Sequence, residues 1–240
     1  MLRLRDARTG ELTDVLPSGR RQLRILVSAP GQLRAYLTAD LLRRAAEQSG
    51  LLPEVSELLP TGVDTTRLRA TCDDLNIHPP VATLTALSVE AGMQPFDVGL
   101  GLGDEALSAI TGLARLWARV SRDNHEAQPG PEPLALRLSL MRLAYGERLW
   151  SHWTPTADAE ALGHWRELVA QWARSASGAM SRPHADAITR AFAHDLDSPA
   201  AVTTLAELAD DPDVADGVKF ETFAAADRLF GLDLARDVGK

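Results

Sequence analysis

Lysine occurs only twice in this 240-residue chain, at Lys219 and Lys240, and cysteine once, at Cys72. A single cysteine excludes an internal disulfide framework and any zinc site built from several thiolates. Cys72 falls on an expected helix beside Asp73 and Asp74 and reads as a structural thiol rather than a nucleophile. No apolar run has the length needed to span a bilayer, so no membrane association is expected. The opening residues Met1, Leu2, Arg3, Leu4, Arg5 and Asp6 lack the apolar core of a signal peptide, and the cytoplasm is the expected location. Scarce lysine beside abundant Arg, Ala, Leu and Asp reads as codon bias from a GC-rich genome.

The net charge of −8 argues against a nucleic-acid binder that works by bulk electrostatics, because phosphate contacts need clustered cations. The charge is uneven. Residues 1–44 carry nine Arg against four acids, an excess of +5 that leaves −13 for the remainder. That basic stretch reads either as a solvated face or as a phosphate-binding one. The hydrophobic content of 45% is ordinary for a globular chain and sufficient for one large domain or a main domain with a smaller one.

The stretch 22–46 organises the rest. Leu23, Ile25, Leu26 and Val27 form an apolar run of the kind found in strands covered on both faces. From Leu33 the period becomes helical: Leu33, Leu37, Leu41 and Ala45 recur, Tyr36 and Leu42 widen the stripe, and Arg34, Asp40, Arg43, Arg44 and Glu47 form the opposite face. Gly50 ends the helix. A strand feeding a helix at its carboxyl end is where open α/β sheets bind nucleotides. Here the turn holds Ser28, Ala29, Pro30, Gly31 and Gln32, with no glycine-rich phosphate loop and no histidine.

Leu2 and Leu4, then Leu12 and Val15, predict a hairpin ahead of that strand. Residues 53–59 read as a second short strand. Asp64 or Thr65 caps a helix through Asn76, with Leu68, Cys72 and Leu75 at helical spacing. Residues 81–91 read as a further helical excursion, 96–102 as a buried strand weakened by Gly99 and Gly101, and Asp104 as the cap of another helix. Residues 121–133 are polar and proline-rich and read as a linker. The remainder is helical in pattern, over about 134–145, 158–175, 183–196, 199–209 and 219–229, with Ser198 and Pro199 as a helix start. The expected domains are thus an α/β domain over 1–120, the linker, and a helical bundle over 134–240 whose core includes Leu138, Leu168, Trp172, Phe192 and Leu205. Trp150, Trp153, Trp165 and Trp172 read as core or interface anchors.

Several candidates carry no chemistry. Glu160 and His164, one helical turn apart, read as an exposed pair and not as metal ligands. Ala179, Met180, Ser181 and Arg182 read as an interhelix turn. Asp195 and Asp197 lie beside a helix start and are explained by capping.

Five stretches, in collinear order, resemble the class I cysteinyl-tRNA synthetases and the related actinobacterial cysteine ligase of mycothiol synthesis. Residues 2–10, Leu-Arg-Leu-Arg-Asp-Ala-Arg-Thr-Gly, resemble the family's opening hairpin. Residues 24–30, Arg-Ile-Leu-Val-Ser-Ala-Pro, resemble its strand ending in Val-Cys-Gly-Pro. Residues 72–80 resemble its Asp-Ala-Leu-Asn-Val-x-Pro-Pro segment, residues 133–140 the start of its post-catalytic helices, and residues 195–201 its Asp-Leu-Asn-Thr-Pro-Ala-Ala. The resemblance implies a truncated member with a reduced Rossmann-like parallel-sheet domain followed by an all-helical bundle, an α/β fold.

The family's catalytic parts have no counterpart here. Ser28 stands where its first zinc-binding cysteine belongs, and hydroxyl is a poor zinc ligand beside thiolate or imidazole, so no zinc is expected. The His-Ile-Gly-His motif that should follow the strand is missing. After Gly99, Gly101 and Gly103 the family's His-His-Glu-Asn is replaced by residues beginning Asp104-Glu105. No lysine of a Lys-Met-Ser-Lys-Ser loop lies near 121–130. The expectation is a pseudoenzyme, a non-catalytic binding or regulatory paralogue with a vestigial pocket at Ser28, Gly31, Gln32, Arg34, Gly101 and Asp104. It would hold a small anion or nucleotide, with ATP weak at best. One alternative is a divergent ATP-dependent aminoacyl ligase with a rebuilt nucleotide site, using Arg34 or Arg20 and Arg21. Another is an interaction module for a synthetase, a tRNA or a second copy, and the sequence leaves the oligomeric state open.

Overall fold

The computed structural model describes residues 1–29, 31–85, 95–102, 111–122, 130–148 and 156–240. The opening hairpin is present: β1 (Arg3–Arg5) pairs antiparallel with β2 (Leu12–Asp14), Leu4 opposite Thr13. Five parallel strands follow, β3 (Gln22–Ser28), β4 (Leu52–Leu58), β5 (Ala82–Leu84), β6 (Phe96–Leu102) and β7 (Ala114–Val120). They lie in the order β5-β4-β3-β6-β7. The first of them is therefore central, the next two step outward on one side and the last two on the other, as in doubly wound α/β sheets. Direction reverses between β3 and β6, which is the topological switch point.

Two strands differ from expectation. Residues 82–84, expected within a helical excursion, are extended and pair with β4 from Ser56 to Leu58. Three residues are too few to distinguish a helical from a strand period. The end of that excursion, 86–91, lies outside the described residues, as does Asp104, expected to cap a further helix. β7 was not anticipated. Its Arg115 and Arg119 are four apart, a spacing that marks one face of a helix and one face of a strand alike. The two neighbours fit closely at one point: Gly99 lies opposite Trp117, and a Cβ there would overlap the indole ring. Gly99, read from sequence as a weakness of the strand, instead makes room for the largest buried side chain beside it.

The hairpin packs on the outer side of β7. Ala7 N donates to Trp117 O at 2.7 Å and Arg115 Nη2 donates to Asp14 O at 2.9 Å, so the strand's edge is covered rather than left open.

Among the described residues the helices are α1 (Leu33–Gln48), α2 (Thr66–Asp74), α3 (Pro133–Met141), α4 (Thr156–Trp172), α5 (Arg182–Ala193), α6 (Ser198–Asp210) and α7 (Asp216–Phe230). Gly50 follows α1 at φ +75°, as its role predicts. The cap of α6 is Asp197 and not Ser198: its carboxylate accepts from Ala200 N at 3.0 Å, while Ser198 is the first helical residue. Leu138, Trp172, Phe192 and Leu205 are buried as expected, whereas Leu168 is half-buried against them. One continuous cluster of buried apolar residues runs from Leu23, Ile25 and Val27 of β3 through α1 to Leu138, Phe192, Leu205 and Phe230. A smaller cluster of Leu26, Phe96, Ala114 and Trp117 fills the other face of the sheet.

The polar face of α1 corrects the sequence reading, because α1 is packed between the sheet and the later helices. Arg34 and Asp40, expected on its outer face, are each only 2% exposed. Asp40 accepts from Arg137 Nη2 and Arg44 Nε, both at 2.7 Å, and sits 3.0 Å from His78 Nδ1. Arg137, fully buried, also donates to Phe230 O at 2.6 Å and to Leu75 O at 2.9 Å. Arg166 likewise gathers Leu232 O at 2.7 Å and Asp233 O at 3.0 Å. Carbonyls at and just beyond a helix carboxyl end have no intrahelical partner, and a guanidinium fork answers several at once with a favourable charge. Arg137 and Arg166 are thus spent inside the molecule.

Burial opposes ionisation of Asp40, but the hydrogen bond from His78 and the charges of Arg137 and Arg44 outweigh it and hold its carboxyl well below the usual range. Asp6 and Glu132 are lowered in the same way by their arginines against the cost of burial. A carboxyl with a lowered folded pKa stabilises the fold above its unfolded value of about 4, and that contribution is lost as pH falls below it. Asp227, raised by burial, works in the opposite direction. Urea midpoints should therefore hold from pH 7 to 5 and drop below about pH 4. A midpoint that rises on acidification would mean that Asp227 dominates.

Candidate functional site

The carboxyl ends of the strands form one row. Val27 of β3 lies opposite Glu57 of β4, Ser28 opposite Gly101 of β6, and Gly101 opposite Arg119 of β7. The structure thus brings Ser28 and Gly101 together at the switch point and adds Arg119 about 10 Å from Ser28, two strand spacings away. The turn after Ser28 reaches exposed Gly31, at φ +77°, and then buried Gln32, the extended residue before α1. No side chain caps that helix start, and its first turn holds no acid.

Arg34 is placed elsewhere. Its guanidinium donates to Leu140 O at 2.5 Å, Leu143 O at 2.9 Å and the carbonyls of Ala144 and Tyr145, closing the carboxyl end of α3. Spent on four carbonyls, it binds this turn of chain to α1 instead of reaching forward from the helix start. Asp104 lies outside the described residues.

At the end of β4 stands a buried group that sequence reasoning missed. Glu57, fully buried, accepts from Tyr36 Oη and Thr83 Oγ1, both at 2.6 Å, and is paired with Arg69. Burial and the adjacent carboxylate push the Tyr36 hydroxyl far up, so it stays protonated and donates. The cluster joins α1, α2, β4 and β5 at the sheet's carboxyl edge, with every Glu57 oxygen taken by protein donors. An acid within Val55-Ser56-Glu57-Leu58, a strand needing apolar cover, was the available signal.

Ser28 itself offers a hydroxyl, a poor zinc ligand beside thiolate or imidazole. The only thiol, Cys72, is buried in α2 and pushed up to about 12 by that burial, so it is neither a thiolate ligand nor a reactive nucleophile at neutral pH. Among the described residues no group of three or more His, Cys, Asp or Glu is arranged to hold a metal ion. Glu160 and His164 are exposed on α4, and residues 179–181 lead into α5, which Arg182 opens. Trp165 and Trp172 are buried, while Trp150 and Trp153 lie outside the described residues. No described helix is long and apolar enough to cross a membrane. No protein-family model matches the chain, and no curated protein matches it.

Proposed function

We propose that the protein is a non-catalytic binding or regulatory paralogue of the class I cysteinyl-tRNA synthetases, retaining their sheet and helices without their chemistry. The observation that carries this reading is the switch point itself. Amino-acid activation requires concentrated positive charge at a triphosphate, from histidine, lysine, metal and backbone donors. The turn 28–32 has neither histidine nor lysine, and the first arginine beyond it, Arg34, is committed to the end of α3. A helix start alone contributes about 0.3–1 kcal/mol toward an exposed anion, far short of a triphosphate grip. In this reading the bound species at Ser28, Gly31, Gln32 and Gly101 is a small anion or nucleotide held weakly, with a protein or a tRNA as the larger partner.

The ligase alternative requires a rebuilt cation set at this turn. Arg20, one of its candidates, is paired with Asp97 at 2.9 Å at the opposite end of the sheet. The interaction-module alternative drew on exposed tryptophans, and Trp165 and Trp172 do not supply them.

Purified protein should exchange no pyrophosphate into ATP with any proteinogenic amino acid, and titration calorimetry should find MgATP binding no tighter than sulfate. Amino-acid-dependent exchange, or micromolar MgATP affinity, would put the ligase first. Arg34→Ala is unsuitable as the diagnostic variant, because it would uncap α3 and lower stability whatever binds nearby.

A further inference from the structure

Beyond the switch point, a second cavity of about 600 Å³ opens between the hairpin, the end of β7, the segment after α3 and the turn joining α5 to α6. That volume lies within the span of about 300–1,000 Å³ found for small-molecule sites.

Its walls carry full charges of both signs, and the protein answers those charges itself. Both oxygens of Asp6 accept from Arg8. Asp195 accepts from Arg5 N and from Tyr145 Oη, both at 2.7 Å, and its other oxygen is ion-paired with Arg5 Nε at 3.4 Å. Arg5 Nη1 donates to Gly10 O at 2.7 Å, and Arg119 has an interaction of its own. Asp197 caps α6, so its charge meets the positive end of that helix. A charged guest therefore gains little here. An anion competes with Asp195 for Arg5, and a cation competes with Arg5 and Arg8 for Asp195 and Asp6, so each new pair is made at the expense of an existing one.

What the lining offers a guest freely is uncharged. Ala7, Gly10, Ala144 and Gly146 present nothing larger than a methyl group. Burial and the Asp195 carboxylate push the Tyr145 hydroxyl upward, so it stays a donor to that acid and leaves the ring as its free surface. One neutral donor remains. His194 Nδ1 lies 3.4 Å from Arg3 Nη2; since a guanidinium only donates, Nδ1 accepts and the ring proton sits on Nε2, which has no acceptor among the described residues.

The backbone that presents His194 is held from both sides. Asp195 and Leu196 are consecutive residues at φ +61° and +49°, left-handed without being glycine. Asp195 N donates to Arg3 O at 2.9 Å and Asp197 N to Ala191 O at 3.0 Å, which fixes the turn before any guest arrives.

We propose that this cavity binds a small uncharged aromatic molecule bearing a carbonyl group, an aromatic amide in its simplest form, with the carbonyl oxygen accepting from His194 Nε2 and the ring lying against Tyr145. The flat guest gains an offset aromatic contact and covers the alanine and glycine walls, and it supplies the acceptor that the imidazole N–H lacks. The cavity stands apart from the switch point, so its test is independent of the synthetase reading: it can succeed in a chain that exchanges pyrophosphate and fail in one that does not.

Benzamide, benzoate and benzylammonium share one ring and differ in charge, and all three are titrated into the full chain by saturation-transfer NMR and calorimetry. Benzamide should bind more tightly than either ion. Removing one neutral hydrogen bond in His194→Ala should weaken it about three- to tenfold. A Cβ at residue 146 would meet Arg119 O at 3.6 Å, an ordinary contact, so Gly146→Phe can be accommodated and should abolish binding by filling the cavity. His164→Ala, exposed on α4, should leave affinity unchanged. Circular dichroism checks each variant, and His194→Ala, an exposed change, decides the matter if Gly146→Phe fails to fold. No benzamide binding, either ion binding as tightly as the amide, or benzamide affinity unchanged in a folded cavity variant overturns the proposal.

Discussion

Asp40→Ala is expected to lower unfolding free energy by about 3–5 kcal/mol, the range for removing one partner of a buried ion pair. The loss is large because Arg137 is fully buried and its guanidinium would keep its carbonyl bonds while losing the carboxylate 2.7 Å away. Arg44 would lose its own 2.7 Å partner, and His78 its 3.0 Å contact. Asp40→Asn keeps shape and one acceptor oxygen and should lose less, which separates charge from packing. The measurement is urea unfolding at pH 7. A loss below about 1 kcal/mol would mean that Arg137 draws its compensation from elsewhere, and Asp227, whose charge also favours the charged form of Arg137, is one such source.

Trp172→Ala should cost a similar amount, about 3–5 kcal/mol, for a different reason. Trp172 is 4% exposed and meets Phe223 edge-on at 5.2 Å between ring centroids. Lys219 Nζ lies 5.3 Å from the indole centroid, and the same ammonium donates to Ala209 O at 2.9 Å. The truncation opens a cavity at the junction of α4 and α7 and strips an aromatic face from a buried cation. Trp172→Phe should recover much of the loss, since it restores the ring against Phe223. A loss under about 1 kcal/mol would move Trp172 to a surface and return the tryptophans to an interface role.

These two variants probe unequally legible parts of the chain. Trp172 was readable as a core residue because large aromatics at helical spacing in a helical stretch have few other places to go. Asp40 was not. It stands three residues from Leu37 and four from Tyr36, on their own buried face, so its residue type and not its helical position assigned it to solvent.

The sequence by itself determined the hairpin, β3, α1, β4, β6, α2 and the later helices, since each announces itself within a few residues through an apolar period, a cap or a left-handed glycine. It also located the switch point after Ser28, because a buried strand running into a helix is a local pattern. Tertiary structure decided what the polar residues do. Arg34 meets carbonyls 106 to 111 positions away and Asp40 meets Arg137 at a separation of 97. Asp195 accepts from Arg5 N and Tyr145 Oη across separations of 190 and 50. A periodic pattern records only whether a face must leave water. Which buried donor meets which acceptor depends on elements brought together by packing, and no local spacing encodes that pairing.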